Sequence, residues 1–158
     1  MADGIRSTDR VRAAAAAVGL AIEIREMPQS TRTAAEAAAA CGTSVAQIVK
    51  SLVFRKANSG EPVLILVSGK NRVDEVAVKT AIGDTLQRMD ANAVRDVTGF
   101  AIGGVAPLGS LEPLPTFIDA DLMAFDTVFA AAGAPTAVFE VAPKALAEAI
   151  GATIVKIG

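Results

Sequence analysis

Histidine is absent from all 158 residues, and Cys41 is the only cysteine. The first absence excludes every nucleophile system that relies on an imidazole base, and the two together exclude zinc sites built on histidine or on several cysteines. A lone cysteine also excludes an internal disulfide. Catalysis by this chain must therefore draw on Lys, Arg, Asp, Glu, hydroxyl groups or the main chain. Long hydrophobic runs are lacking too: the longest one near the start, residues 13–22, falls well short of the ~20 residues that a membrane helix needs. No membrane partner is expected. The N-terminal stretch carries Asp3 and Asp9 among its arginines and lacks the basic, apolar, small-residue succession of a secretory signal, so the expected location is the cytoplasm.

Excess charge is small, with a net of −2, which argues against indiscriminate binding to a polyphosphate chain. The charge is unevenly spread. Residues 1–90 hold 12 basic and 10 acidic side chains, whereas residues 91–158 hold 3 and 7, so the first part has room for a modest basic surface. An apolar share of 52% with a charged share of 20% is that of a folded chain, and the length suits one domain spanning residues 1–158.

Ser7 or Thr8 can cap a helix that runs through Val18 to a stop at Gly19. Ala21-Ile22-Glu23-Ile24-Arg25 alternates as a half-buried strand does. Thr33 with Glu36 predicts a capping box for an alanine-rich helix that ends near Gly42, and Ser44 with Gln47 predicts a second one. Strands are predicted after Ser51 and across Val63 to Val67, joined by a turn at Asn58-Ser59-Gly60. Helices are predicted over residues 72–82 and 91–97, with a short strand at residues 85–88 between them. Further strands fall at residues 116–118, 127–131, 136–141 and 154–157, and Pro143 opens a helix before the last. This is a mixed α/β pattern with hairpins as well as crossovers.

Lys50 interrupts an otherwise apolar run, Gln47-Ile48-Val49-Lys50-Ser51-Leu52-Val53-Phe54. Its stem could simply cover apolar surface, or its ammonium could stand at a cleft wall and pair a ligand phosphate or carboxylate. The loop at residues 99–109 offers mainly backbone groups, through Gly103, Gly104, Val105, Ala106 and Pro107; it is either a tight turn or a close approach that holds a developing oxyanion. It matches neither the P-loop nor the dinucleotide fingerprint. Ala131, Ala132 and Gly133 form a small-residue turn that is a hairpin or the wall of a size-selecting pocket. Asp119 and Asp121 read as turn residues before they read as a metal pair, Asp74 as a helix cap, and Cys41 as a structural thiol.

Taken together, these segments resemble the YbaK-like aminoacyl-tRNA editing family, related to the editing domain inserted in bacterial prolyl-tRNA synthetases. Thr33 to Ala38, Gln47 to Phe54, Gly69 with Arg72 and Asp74, Thr98 to Gly109, Pro115 to Asp119 and Ala132-Gly133 agree in order and spacing, over nearly everything after Thr31. The resemblance implies a mixed, largely antiparallel central sheet flanked by helices, and a pocket for the aminoacyl group and terminal adenosine of a mischarged tRNA. It implies that Lys50 holds the phosphate or ribose end while residues 103–107 supply backbone groups around the ester and its attacking water. Ser51 and the turn of Ala131, Ala132 and Gly133 would contact the substrate. Neither a metal nor an organic cofactor is implied, and prolyl-tRNA synthetase is an implied partner.

Two departures bear on specificity. Members acting on cysteinyl-tRNA(Pro) tend to carry Ser-Gly-Gly where this chain has Ala131-Ala132-Gly133. Members preferring alanyl-tRNA(Pro) tend to carry Asn after the lysine, where this chain has Ser51, and a His in the later turn. The expected substrate is thus a tRNA bearing a small amino acid such as alanine, cysteine, serine or threonine. The alternative is a module that binds the tRNA end without cutting it.

Overall fold

The computed structural model describes residues 6–158. In chain order its first elements are helix α1 (Ser7–Ala17), strand β1 (Ile24–Glu26), α2 (Ala34–Cys41), β2 (Ile48–Lys56), β3 (Pro62–Ser68) and α3 (Glu75–Ile82). Then come β4 (Leu86–Arg88), α4 (Ala91–Thr98), β5 (Thr116–Asp119), β6 (Val128–Ala131), β7 (Ala137–Val141), α5 (Pro143–Ile150) and β8 (Thr153–Val155). No helix among the described residues is long and apolar enough to cross a membrane.

Local signals set most helix ends. The Thr33 hydroxyl accepts from the Glu36 N–H at 3.1 Å while the Glu36 carboxylate accepts from the Thr33 N–H at 3.2 Å, which is the reciprocal cap that their spacing predicts. Asp74 caps α3 through the N–H groups of Val76 and Ala77, so the helix starts later than Arg72. Gly42, Gly83 and Gly99 stop their helices in the left-handed conformation. Thr33→Ala is expected to cost about 1 kcal/mol, read as a lower urea midpoint, because the Glu36 N–H loses the hydroxyl that accepts from it.

Other boundaries differ from the sequence reading, and tertiary contacts explain them. Arg6, not Ser7 or Thr8, is the N-cap of α1; the Ser7 hydroxyl instead points to the Gly99 carbonyl at 3.4 Å, and Thr8 is buried. Ser44 makes no backbone cap, and only a single 3₁₀ turn (Val45–Gln47) follows it. The Gln47 side-chain oxygen is taken by the Thr43 and Ser44 hydroxyls, and its nitrogen donates to the Thr127 carbonyl. Chain that the second capping box assigned to helix therefore enters β2 already at Ile48, which puts Lys50 on a strand. The last strand ends at Val155, freeing Ile157 to bury itself with Phe54, Val63 and Ile65.

The sheet runs β1-β7-β6-β2-β3-β5-β8, with β4 also paired to β2. Pairings β1–β7, β2–β3, β2–β4 and β6–β7 are antiparallel, whereas β2–β6, β3–β5 and β5–β8 are parallel. β3 lies between β2 and β5, and Val63 to Val67 are buried along its whole length, as a strand covered on both faces requires. One face packs Leu64 and Leu66 with Val11 of α1 and Leu146 of α5. The opposite face packs Val63, Ile65 and Val67 with Val78 of α3.

Candidate active site

Strand alternation decides where Lys50 goes. Ile48, Lys50, Leu52 and Phe54 share one face of β2. Ile48 packs in a cluster with Ala37 and Ala38 of α2, while Leu52 and Phe54 pack in the cluster around α3. Lys50 stands between these two clusters and belongs to neither. Its ammonium donates to the Asn71 carbonyl. Burial, and then the charge of nearby Arg72, holds its pKa below the ordinary lysine range, against a smaller opposing pull from Asp119.

The same strand opens the site. β6 pairs only with Ile48 and Val49, and β4 only with Phe54, Arg55 and Lys56. Between them, residues 50–53 have no strand neighbour on that edge. Ile48 and Lys56 turn their backbone groups toward the β3 hairpin, bonding Gly69 and Glu61, so by the two-residue alternation Ser51 turns its N–H and C=O to the open edge. A cavity of about 760 Å³ fills this gap. It is lined by Lys50, Ser51, Gly103, Val105 and Ala131 among the residues expected from sequence. Ser51 carries a buried hydroxyl with no hydrogen-bond partner among the described residues.

The remaining expected contacts stand behind this wall. Gly104, Ala106, Pro107, Ala132 and Gly133 are buried and do not line the cavity. The Gly104 N–H donates to the Ala101 carbonyl at 3.0 Å, closing a turn, and a Cβ on Gly104 would stand 2.9 Å from the Ala134 main chain. At Gly133 a Cβ would meet the Ser7 main chain at 2.9 Å, and the Ala132 N–H donates across the hairpin to Ala137. Glycine thus serves close packing at these positions, while Gly103 borders both the cavity and the Arg32 side chain.

Helix α1 braces the glycine loop from outside. Arg10 donates to the Thr98 carbonyl at 3.1 Å and to the Gly109 carbonyl at 3.3 Å, and its guanidinium carbon lies 4.9 Å from the Phe100 ring centroid. It therefore ties both ends of the segment that presents Gly103. Beneath Lys50, the buried Asp119 carboxylate accepts from the Ser68 N–H and the Asn71 amide, and Asp121 accepts from that same amide. These carboxylates fix the loop that carries the Asn71 carbonyl and thereby the lysine, as turn residues do. Cys41 is no activated nucleophile, since burial pushes its thiol pKa up.

Sequence reasoning missed the arginines of the cavity, Arg32, Arg72 and Arg88, as site residues. Arg72 was visible only as part of the family resemblance, and nothing local marks Arg32 or Arg88.

The sequence profile of the aminoacyl-tRNA editing domain matches residues 28–149. YwhH of Bacillus subtilis is 32% identical over 126 residues, covering 80% of each chain. A proline–tRNA ligase of Nitratidesulfovibrio vulgaris is 32% identical over 120 residues, which are 75% of this chain and 20% of the ligase. Among solved structures, a candidate trans-editing enzyme for prolyl tRNA synthetase superposes with a TM-score of 0.90 at 44% identity, covering 98% of both chains. With the cavity, its lysine and its glycine loop inside the matched span, the chain belongs to the aminoacyl-tRNA editing domain family and is an aminoacyl-tRNA deacylase.

Proposed function

We propose that this deacylase hydrolyses tRNA(Pro) mischarged with a small amino acid (alanine, cysteine, serine or threonine), acting in the cytoplasm as one domain of residues 1–158. The observation that carries the reading is the convergence of Lys50, Ser51, Gly103 and Ala131 on one cavity. The likeness to a proline–tRNA ligase and to a candidate trans-editing enzyme for prolyl tRNA synthetase favours tRNA(Pro) and makes that synthetase the natural partner.

The acceptor end enters with its aminoacyl group against Val49, Ala130 and Ala131, a wall that leaves room for short side chains. Lys50 holds a phosphate or ribose oxygen of the terminal adenosine. The Gly103 N–H, which has no hydrogen-bond acceptor among the described residues, and the Val105 main chain beside it receive the oxyanion. A water oxygen adds to the ester carbonyl, the carbon–oxygen bond to the ribose breaks, and a proton from that water ends on the departing ribose hydroxyl. Free amino acid and uncharged tRNA result. An aminoacyl ester is already activated, so positioning and oxyanion stabilisation suffice without an imidazole.

Ser51 is the specificity contact in this reading. A buried hydroxyl without a partner costs about 1–3 kcal/mol, which a ligand that bonds it recovers. Its partner is the α-amino group or the side-chain hydroxyl or thiol of the aminoacyl moiety. Ser51→Ala is expected to lower kcat/KM for the preferred ester about threefold to tenfold and to leave the urea midpoint unchanged or higher. The decisive experiment incubates the protein with alanyl-, cysteinyl-, seryl-, threonyl- and prolyl-tRNA(Pro) and follows free amino acid. At least one of the first four esters is expected to be cleaved and the prolyl ester spared. Release at the buffer rate for all of the small amino acids would remove the proposal.

A further inference from the structure

The arginines of this chain divide into two groups. Arg6 and Arg12 pair with Asp9, Arg25 pairs with Glu140, Arg55 donates to the Gly60 carbonyl, and Arg10 holds the glycine loop. The guanidinium groups of Arg32, Arg72, Arg88 and Arg95 have no hydrogen-bond or ion-pair partner among the described residues, and the first three line one cavity. They arrive from separate segments. Arg32 follows Thr31, which is buried and tied through its N–H and hydroxyl to the Pro135 carbonyl. Arg72 lies in the loop between β3 and α3, and Arg88 ends β4 beside the open edge of β2. Glu75 is the one acidic residue among those lining the cavity.

Three exposed arginines that line one cavity with a single acidic residue among its lining give its rim a positive potential, which suits a polyanion. We infer that Arg32, Arg72 and Arg88 form a phosphate track for the single-stranded end of a tRNA, engaging the phosphodiesters that precede the terminal adenosine. This rests on the reading that an acceptor end fills the cavity. Planar guanidinium forks suit phosphate oxygens, and a single strand can bend among three donors that no straight duplex edge would meet. The charge of Arg72 also helps to hold the Lys50 pKa down, and a phosphate on Arg72 would ease that repulsion.

The test uses uncharged RNA oligonucleotides ending in CCA, with binding read by fluorescence anisotropy across a salt series, so that no hydrolysis is needed. Each of Arg32→Gln, Arg72→Gln and Arg88→Gln is expected to weaken binding about threefold to tenfold and to flatten the slope of log affinity against log salt by about 0.7. Arg95→Gln, at an arginine that does not line the cavity, is the control and keeps the wild-type slope. With charged substrates, the ratio of kcat/KM for an aminoacylated CCA trinucleotide over an aminoacylated adenosine is expected to fall in each cavity variant, because only the first carries the phosphates. Cavity variants that keep the wild-type affinity and slope overturn the track, even if deacylation of tRNA(Pro) holds. Conversely, a steep slope lost in those variants, alongside cleavage of some other aminoacyl ester only, upholds the track and overturns the substrate proposed above.

Discussion

Lys50→Ala is expected to lower kcat/KM for ester hydrolysis by about tenfold to a hundredfold, the scale on which one charged hydrogen bond to the bound adenosine end contributes. Folding should survive. Among the described residues the ammonium hydrogen-bonds only the Asn71 carbonyl, while Asn71 itself is held independently by Asp119 and Asp121. Single-turnover deacylation measured above the buffer rate, with a urea midpoint for each protein, checks both statements; full activity in the alanine variant would end the assigned role. The pH dependence has a definite sign. Because the folded-state pKa of Lys50 is depressed, its charge is lost at a lower pH than that of an ordinary lysine, and wild-type activity should decline early on the alkaline side. Lys50→Arg keeps its charge there and should lack that limb. For stability, the depressed pKa means that holding the charged lysine in the fold is unfavourable at neutral pH. That penalty fades as pH rises from the folded-state pKa to the unfolded one, so wild type should gain on Lys50→Met across that window.

Gly133→Ala is expected to destabilise the protein by about 2–4 kcal/mol, and the reason has two parts. A φ of 97° is one that L side chains rarely adopt, and an added Cβ would stand 2.9 Å from the carbonyl carbon and oxygen of Ser7, which are backbone atoms that cannot swing away. Gly83→Ala separates these contributions. Gly83 has a φ of 85° with nothing within 4 Å of the added carbon, so it should cost only about 1–2 kcal/mol. Equal midpoint shifts for the two variants would mean that α1 does not press on the turn as described. The outcome matters for the site as well, because Gly133 follows Ala131 by two residues and α1 lies outside the span matched by the editing-domain profile. A helix beyond that profile would then be shown to hold both the alanine wall and, through Arg10, the glycine loop.

What could be read from the sequence follows the range of the forces involved. The Thr33–Glu36 box, the Asp74 cap and the glycine stops depend on atoms three or four residues apart, so residue type and spacing specify them. The hairpin of β2 and β3 was legible because a continuous apolar strand beside a polar turn has few other uses. Ser44 misled because its hydroxyl donates to the Gln47 side chain, which the Thr43 hydroxyl and the Thr127 carbonyl from a segment distant in sequence also engage. The glycines of the 99–109 loop suggested a close approach and Gly133 a turn or a pocket wall, but a sequence cannot say that the main chain of Ala134 packs on Gly104 and that of Ser7 on Gly133.

By itself, the sequence determined which chemistry was available. With no histidine and one cysteine, it left Lys, Arg, Asp, Glu, hydroxyls and main-chain groups, and it marked Lys50 as a charge out of place in an apolar run. Only the tertiary structure decided where that chemistry gathers. The gap between the β6 and β4 pairings exposes one edge of β2, and it is this gap that joins Lys50, the unpartnered Ser51 hydroxyl, Gly103 and three arginines around one cavity. Strand order and register are set by the summed packing of the whole core, and no local run of residues encodes such a sum.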